Sequence, residues 1–139
     1  MTAGLMGRVL CISNQKGGVG KTTTAINLAA SLAAAERKTL LIDMDPQGNA
    51  GSGLGLDRNN LHGTVLDALL DGRPMSELIH PTQLKFLDVV PATTELTGAE
   101  LELVNVDHRE LRLKRAIDAI KGEYDYVLVN EDLEASTQR

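Results

Sequence analysis

The chain has 139 residues, of which 42% are hydrophobic and 24% charged, and this composition is typical of one soluble globular domain. Its formal net charge of −5 argues against nonspecific nucleic-acid binding by the chain as a whole. No apolar stretch is long enough to span a membrane and no secretory signal pattern begins the chain, so we expect a cytoplasmic protein without membrane contact.

The first predicted element is a strand from Arg8 to Ser13, apolar on both faces and therefore expected to be buried in a parallel sheet. Cys11 lies within it and is interpreted as a small core residue, the alternative being a reactive thiol. Residues 21–35 are predicted to form a helix with packing faces made by Ile26, Leu28, Ala29, Leu32 and Ala33.

A glycine-rich loop joins this strand to this helix, and its sequence is Lys16-Gly17-Gly18-Val19-Gly20-Lys21-Thr22-Thr23. A phosphate-binding loop requires this order, because backbone N–H groups and the helix N-terminus then surround phosphate oxygens. Lys21 would reach the β/γ-phosphates and the Thr22 hydroxyl would ligate Mg²⁺. Gln15 occupies the first glycine position of the strict pattern. A simple glycine turn is the alternative, but it explains neither the two lysines nor the paired threonines.

A second apolar run, Leu40-Leu41-Ile42, predicts a strand that ends in Asp43-Met44-Asp45. Ligands of open α/β sheets bind at the carboxyl ends of the strands, so both carboxylates are expected beside the phosphate loop. Nucleotide hydrolysis needs Mg²⁺ near the phosphates and a group that orients water, and two aspartates suit both tasks. The alternative is a pair of aspartates that only starts a loop.

Several further elements are predicted after Asp45. The segment 48–60 is expected to be a mobile loop or a short helix, and Thr64 is expected to cap a helix that stops at Gly72. The remaining predictions are a strand over 84–90, helices near 95–104 and 109–121, and a strand over 126–129. The basic residues of the last helix form either a solvated face or a contact with an anionic partner: Arg109, Arg112, Lys114, Arg115 and Lys121.

Three of these segments resemble the signatures of the ParA/Soj partition ATPases. Residues 16–24, preceded by Asn14-Gln15, resemble their deviant Walker A motif, and Leu40 to Asn49 resembles their next signature. Val90-Pro91-Ala92-Thr93 resembles a third, so the likeness covers nearly the whole chain to about Val129. MinD-type proteins fit less well because they do not usually carry Asp-Pro-Gln-Gly-Asn here, and the nitrogenase iron protein needs more cysteines.

The resemblance implies an α/β fold, a three-layer P-loop NTPase with a mostly parallel sheet, and a role for each motif residue. Lys16 would serve the partner's nucleotide across an ATP-sandwich dimer, and Asp45 would position the attacking water. Thr22 and Asp43 would hold Mg²⁺. The residues that would bind ATP are Gly17, Gly18, Val19, Gly20, Lys21, Thr22 and Thr23.

The resemblance also implies partners. Family members form homodimers through ATP, bind DNA without sequence preference at the nucleoid, and are stimulated by a ParB-type protein to separate chromosomes or plasmids. In this chain the family's Walker B aspartate is replaced by Asn130, and the DNA-binding surface that the family places later is missing.

The end of the sequence departs from the family pattern. Residues 130–139 are polar without periodicity, and the strand 126–129 is followed by nothing that could cover its two faces. We interpret residues 1–129 as the N-terminal part of a P-loop ATPase domain truncated after the fourth core strand, and 130–139 as an atypical tail. Two alternatives are a non-catalytic regulator that forms mixed dimers with a full-length relative, and a fragment without function.

Overall fold

A computed structural model of the chain describes residues 7–14, 19–93, 96 and 106–132. Its strands are β1 (Arg8–Asn14), β2 (Thr39–Asp43), β3 (His80–Pro81), β4 (Leu87–Val90) and β5 (Tyr126–Asp132). Its α-helices are α1 (Val19–Ala34), α2 (Asn49–Gly53), α3 (Val65–Asp71) and α4 (Val106–Ile120). Short 3-10 turns occupy Arg58–Asn60, Met75–Leu78 and Lys121–Glu123. Within these described ranges, no helix is both long and apolar enough to cross a bilayer.

The strands form one sheet in the order β1-β5-β2-β4-β3. β1, β5, β2 and β4 are parallel to one another, and only the two-residue β3 runs antiparallel, against β4. The predicted parallel α/β sheet is therefore confirmed. The crossover connections place the carboxyl ends of the four parallel strands at one edge, where ligands of such sheets bind.

Alternate residues of the central strands pack on opposite faces of the sheet, which makes three layers. Leu40 and Ile42 of β2 pack with α3 and α4 on one face. Leu41 packs on the other face against α1, whose Ala25 and Ala29 are fully buried. Small side chains at this spacing let α1 approach the sheet closely. Leu28, which was expected to pack, is instead 36% exposed.

β5 is an interior strand of the sheet, and its buried position corrects two expectations. It pairs with β1 on one side and β2 on the other, and Val127, Leu128 and Val129 are 0–2% exposed. The inference that its two faces lack cover because nothing follows the strand was wrong, since α1 and α4, which precede it in the chain, supply both layers. The strand also continues to Asp132, three residues beyond its predicted end. Residues 133–139 lie outside the described residues.

β1 is an edge strand within the described sheet and is not buried. Val9 is 38% and Leu10 36% exposed, and Cys11 is exposed as well. The predictions of a strand buried on both faces and of a core cysteine were therefore wrong for this chain. An apolar strand sequence indicates that a strand packs against other elements, but it does not reveal whether this chain supplies cover for both of its faces.

The predicted caps of α3 are confirmed. Its N-cap is Thr64, whose backbone N–H donates to Asp67 Oδ2 over 2.9 Å, and its C-cap is Gly72 with a left-handed φ of 67°. The segment 48–60 contains the short helix α2, one of the two forms expected for it. α4 buries Ile117 and Ile120 as predicted. The helix predicted near 95–104 lies outside the described residues except for Leu96.

β4 begins three residues later than predicted. Thr82 Oγ1 accepts from the Leu84 backbone N–H at 3.0 Å and donates to the Leu87 carbonyl at 2.8 Å. Phe86 takes a left-handed φ of 73°, which no strand accommodates. A side-chain hydroxyl therefore bends 82–86 into a turn, although the apolar alternation of 84–90 resembles a strand throughout.

Candidate functional site

The candidate site lies at the carboxyl edge of the sheet, where β1, β5 and β2 end side by side. Asn130 of β5 is in register with Ile12 of β1 on one side and with Asp43 of β2 on the other. Neighbouring strands are about 4.8 Å apart, so Ile12 and Asp43 are separated by about 10 Å. β1 therefore ends, at Asn14, on the same edge of the sheet as Asn130 and Asp43.

The glycine-rich loop itself is only partly described. β1 ends at Asn14 and α1 begins at Val19, which confirms the predicted strand and helix on either side of the loop. Lys16, Gly17 and Gly18 lie outside the described residues. Residues 19–23 form the first turns of α1 through their backbone, and the side chains of Lys21, Thr22 and Thr23 are likewise outside the description.

Both predicted aspartates lie at the end of β2, and the loop backbone holds them. Asp43 is 0% and Asp45 7% exposed. The Asp45 backbone N–H donates to Asp43 Oδ1 at 3.0 Å, and the Gln47 backbone N–H donates to Asp45 Oδ1 at 3.0 Å. Gly48 closes this turn with a φ of 66° and a 2.8 Å bond from its N–H to the Asp45 carbonyl. The two carboxylates are thus fixed in place before any ligand binds.

Asn130 contacts Asp43 directly. Its Nδ2 donates to Asp43 Oδ1 at 3.2 Å, and its backbone carbonyl accepts from the Met44 N–H at 2.8 Å. Among the described residues, Asp43 Oδ2 and Asn130 Oδ1 are buried oxygens without a hydrogen-bond partner. The Thr93 hydroxyl, which follows β4 at the same edge, is a third such atom. Buried oxygens without partners are costly, and they are satisfied when water or a cation binds.

Burial changes the protonation of Asp43. The pKa of Asp43 is raised from 3.8 to about 6, mainly by removal from water, and the nearby Asp45 carboxylate contributes to this rise. Hydrogen bonds from the Asp45 backbone, the Asn130 amide and the Ala50 backbone act in the opposite direction, since they stabilise the carboxylate. Near neutral pH, Asp43 therefore carries a buried charge that is only partly compensated.

The donor set at this edge fits Mg²⁺ in kind. Mg²⁺ prefers oxygen ligands, keeps several waters and needs only one or two protein carboxylates. Asp43 Oδ2 and Asn130 Oδ1 are two oxygens that could accept from such waters. No cluster of three or more His, Cys, Asp or Glu that could hold a metal by itself occurs among the described residues.

The contact between Asn130 and Asp43 was not predicted. The sequence showed an amide after an apolar strand, and the surrounding residues placed it in a polar tail. The two residues are 87 positions apart, and only the insertion of β5 between β1 and β2 brings them together. The signal available in the sequence was the position of Asn130 directly after the run Val127 to Val129.

The fold and the motifs at this edge agree with comparisons to known proteins. The chain belongs to the AAA domain family, which matches residues 7–132.

Two curated relatives carry the similarity further. The chain is 66% identical over 125 residues to the chromosome partitioning protein ParA of Myxococcus xanthus, which covers 90% of this chain and 44% of that protein. It is 50% identical over 125 residues to the sporulation initiation inhibitor protein Soj of Bacillus subtilis, covering 90% and 49% respectively. The resemblance to ParA/Soj-type partitioning ATPases is confirmed. The chain spans about half the length of the curated relatives it matches.

The fold also matches solved structures. The crystal structure of cobyrinic acid a,c-diamide synthase from Mycobacterium smegmatis, with bound ADP and magnesium, superposes with a TM-score of 0.82 at 38% identity. The match covers 94% of this chain and 54% of that chain. The three-layer P-loop NTPase fold expected from the sequence is therefore confirmed.

Proposed function

We propose that the chain is the nucleotide-binding half of a ParA/Soj-type partitioning ATPase. The observation that carries this proposal is the arrangement of Asp43 and Asp45 at the end of β2, buried at the carboxyl edge of the sheet with only β5 between them and β1. The 66% identity to a ParA protein supports it. The location would be cytoplasmic, with the partner classes of that family: a second copy, a ParB-type protein and DNA.

The proposal gives each motif residue a task. The backbone of 17–20 and the side chains of Lys21, Thr22 and Thr23 bind the phosphates of ATP. Mg²⁺ is held by Thr22 and, through water, by Asp43, and it neutralises phosphate charge when bound. Asp45 orients the attacking water. Lys16 extends across an ATP-sandwich dimer to the nucleotide of the other subunit.

We also propose that the intact protein contains further sheet. The exposed apolar residues Val9 and Leu10 on β1 support this, because native proteins cover or pair such edges. The length of the relatives supports it as well. The reactivity of Cys11 shows whether β1 is covered. Its thiol should react with a labelling reagent in this chain, and it should be protected after fusion to the second half of the Myxococcus xanthus ParA. Equal labelling in both proteins would contradict the added sheet.

Nucleotide titration tests the central proposal. ATP binding is measured for this chain and for the same fusion, with GTP as the competitor. Lys21→Ala should weaken ATP binding at least about tenfold, because it removes charge-assisted bonds to phosphate. Lys85→Ala is the matched control, since Lys85 is exposed and precedes β4 at the opposite edge of the sheet. If neither protein binds ATP while GTP binds, the assignment is wrong.

Hydrolysis by the fusion tests the role of Asp45. Asp45→Ala should leave ATP binding and dimer formation intact and stop hydrolysis, because only the positioning of water is lost. Normal hydrolysis by this variant would assign that role to another residue.

A second candidate function is a non-catalytic regulator that forms mixed dimers with a full-length relative. The specific observation in its favour is Asn130, an uncharged residue in contact with Asp43 where the family carries an aspartate. Co-expression with a full-length relative followed by native mass spectrometry tests it. A mixed dimer in the presence of ATP is the expected result, and homodimers alone would rule this function out.

A further inference from the structure

We propose that Asn130 sets the cation affinity of this site: its amide holds Asp43 and presents an uncharged oxygen, so that without nucleotide the pair binds a divalent cation only weakly. This inference rests on the proposed function, because it concerns the cation of the same site. It goes beyond that function in assigning one residue of this chain the control of cation binding.

The backbone and the side chain of Asn130 are both held at the end of β5. Asn130 and Asp43 are directly paired across β5 and β2, and the amide Nδ2 donates to Asp43 Oδ1 at 3.2 Å. Because Nδ2 faces Asp43, Oδ1 of the amide is the group left without a partner. The Met44 N–H fixes the Asn130 backbone through a 2.8 Å bond. Asn130 is thereby held with its amide nitrogen facing the Asp43 carboxylate and its amide oxygen available to a ligand.

The pair of Asn130 and Asp43 carries little negative charge for a buried cation site. Both side chains are 0% exposed, so solvent does little to screen charge between them. The pair carries at most one negative charge, that of Asp43, and Asp43 Oδ1 already accepts two hydrogen bonds. One remaining carboxylate oxygen and one amide oxygen attract a divalent cation much less than two carboxylates at the same positions.

The same contact explains why the pair is stable without a cation. Two carboxylates at paired positions would repel each other in a buried site, whereas an amide and a carboxylate attract. Compared with an aspartate at the same position, Asn130 therefore lowers the cation affinity and stabilises the nucleotide-free protein. The substitution Asn130→Asp should reverse both properties together.

Cation titration of the complete 139-residue chain without nucleotide tests this inference. Free Mn²⁺ is followed by electron paramagnetic resonance, and the midpoint of thermal unfolding is measured with and without MgCl₂. Asn130→Asp should bind Mn²⁺ at least about tenfold more tightly than the natural chain. It should also unfold at a lower temperature without metal, and MgCl₂ should restore much of the difference.

Asn60→Asp is the matched control. Asn60 Nδ2 also donates to an aspartate, Asp57 Oδ2 at 2.8 Å, but this pair is exposed. Replacing this exposed amide by a carboxylate should therefore change the Mn²⁺ affinity by no more than about twofold. The shift of the unfolding midpoint on addition of MgCl₂ should stay the same as in the natural chain. Equal gains in both variants would indicate nonspecific attraction and overturn the inference.

A charge-swapped variant keeps the test decisive if Asn130→Asp does not fold without metal. Asp43→Asn combined with Asn130→Asp restores one carboxylate and one amide to the pair. It should fold without metal and bind Mn²⁺ as weakly as the natural chain. The inference is overturned if MgCl₂ fails to refold the single variant while the swapped variant is folded, or if the natural chain and Asn130→Asp bind Mn²⁺ equally.

These measurements contain no nucleotide, so they fail or succeed independently of ATP binding. A chain that binds ATP normally but shows no change with Asn130→Asp would retain the proposed function and lose this inference. If the chain shows the predicted cation binding but binds no ATP, the proposed function is contradicted and the inference about the cation site stands.

Discussion

The rings of His62 and His80 stack with their centroids 3.8 Å apart and their planes at 24°. The His62 backbone N–H donates to His80 Nε2 at 3.2 Å, so Nε2 must be unprotonated. His80 Nδ1 then carries the proton and donates to the Leu78 carbonyl at 2.9 Å. This contact ties the segment between α2 and α3 to β3, and it requires a neutral His80.

Acid should therefore weaken this contact. Burial lowers the pKa of His80 below 6.5, and the neighbouring His62 lowers it further. Because the folded pKa lies below the unfolded one, the stabilisation is present above pH 6.5 and is lost as pH falls through the folded pKa. Urea unfolding above and below pH 6.5 measures it. His80→Gln should cost about 1 kcal/mol at neutral pH and remove this acid-dependent loss. An unchanged pH dependence in the variant would assign it to other groups.

Asp43 should produce the opposite pH dependence. Its pKa is raised from 3.8 to about 6, so its contribution favours the folded state below pH 3.8 and is lost as pH rises through about 6. Asp43→Asn keeps an acceptor for the Asp45 N–H but removes the buried charge. It should raise the free energy of unfolding at pH 7 by up to about 3 kcal/mol. Urea unfolding of both proteins across this pH range checks the result, and a less stable variant at pH 7 would contradict it.

Gly63 should not tolerate a side chain. A Cβ there would collide with Leu78 Cδ2 and lie 3.2 Å from Arg73 Nη1, and Leu78 is fully buried. Gly63→Ala is expected to destabilise the protein by about 1–3 kcal/mol through overpacking. Gly122→Ala is the matched control, because nothing lies within 4 Å of the added methyl group. Thermal unfolding compares the two, and equal midpoints would mean that Leu78 moves aside freely.

Arg112 should stabilise α3 in a way that Arg115 of the same helix does not. Its Nη1 donates to the carbonyls of Leu69 and Leu70 at 2.6 and 3.1 Å, which satisfies the C-terminal end of α3. Arg112→Ala is expected to cost about 1–2 kcal/mol of unfolding free energy. Arg115 is exposed and forms no such bond within the described chain, so Arg115→Ala should change stability by less than about 0.5 kcal/mol. Equal losses would indicate an effect of helix propensity alone.

The two alternatives for these basic residues were a solvated face and a contact with an anionic partner. Lys114 and Lys121 both pair with Asp118 at 3.0 Å on the exposed surface, which agrees with the first alternative. Arg112 follows neither, because it binds the backbone of another helix. Helical periodicity places a residue on a face of its own helix, but it does not reveal which neighbouring helix ends there.

Local signals in the sequence were enough for the elements and for the chemistry of single residues. Thr64 and Gly72 determine the ends of α3 through hydrogen bonding and backbone conformation within a few positions. The succession of strand, helix, strand, helix and strand predicted the parallel sheet, and the position of Asp43 and Asp45 after an apolar run placed them at the ligand edge. These features depend on contacts between neighbours in the chain, which a sequence displays directly.

The tertiary structure alone decided which strand is central and which is at the edge. β1 and β5 are both apolar runs, yet β5 inserts between β1 and β2 and is buried, while Val9 and Leu10 of β1 remain exposed. The same insertion brings Asn130 against Asp43 from 87 positions away and leaves two buried oxygens without partners. Strand order results from long-range pairing and helix packing, and no local pattern encodes either.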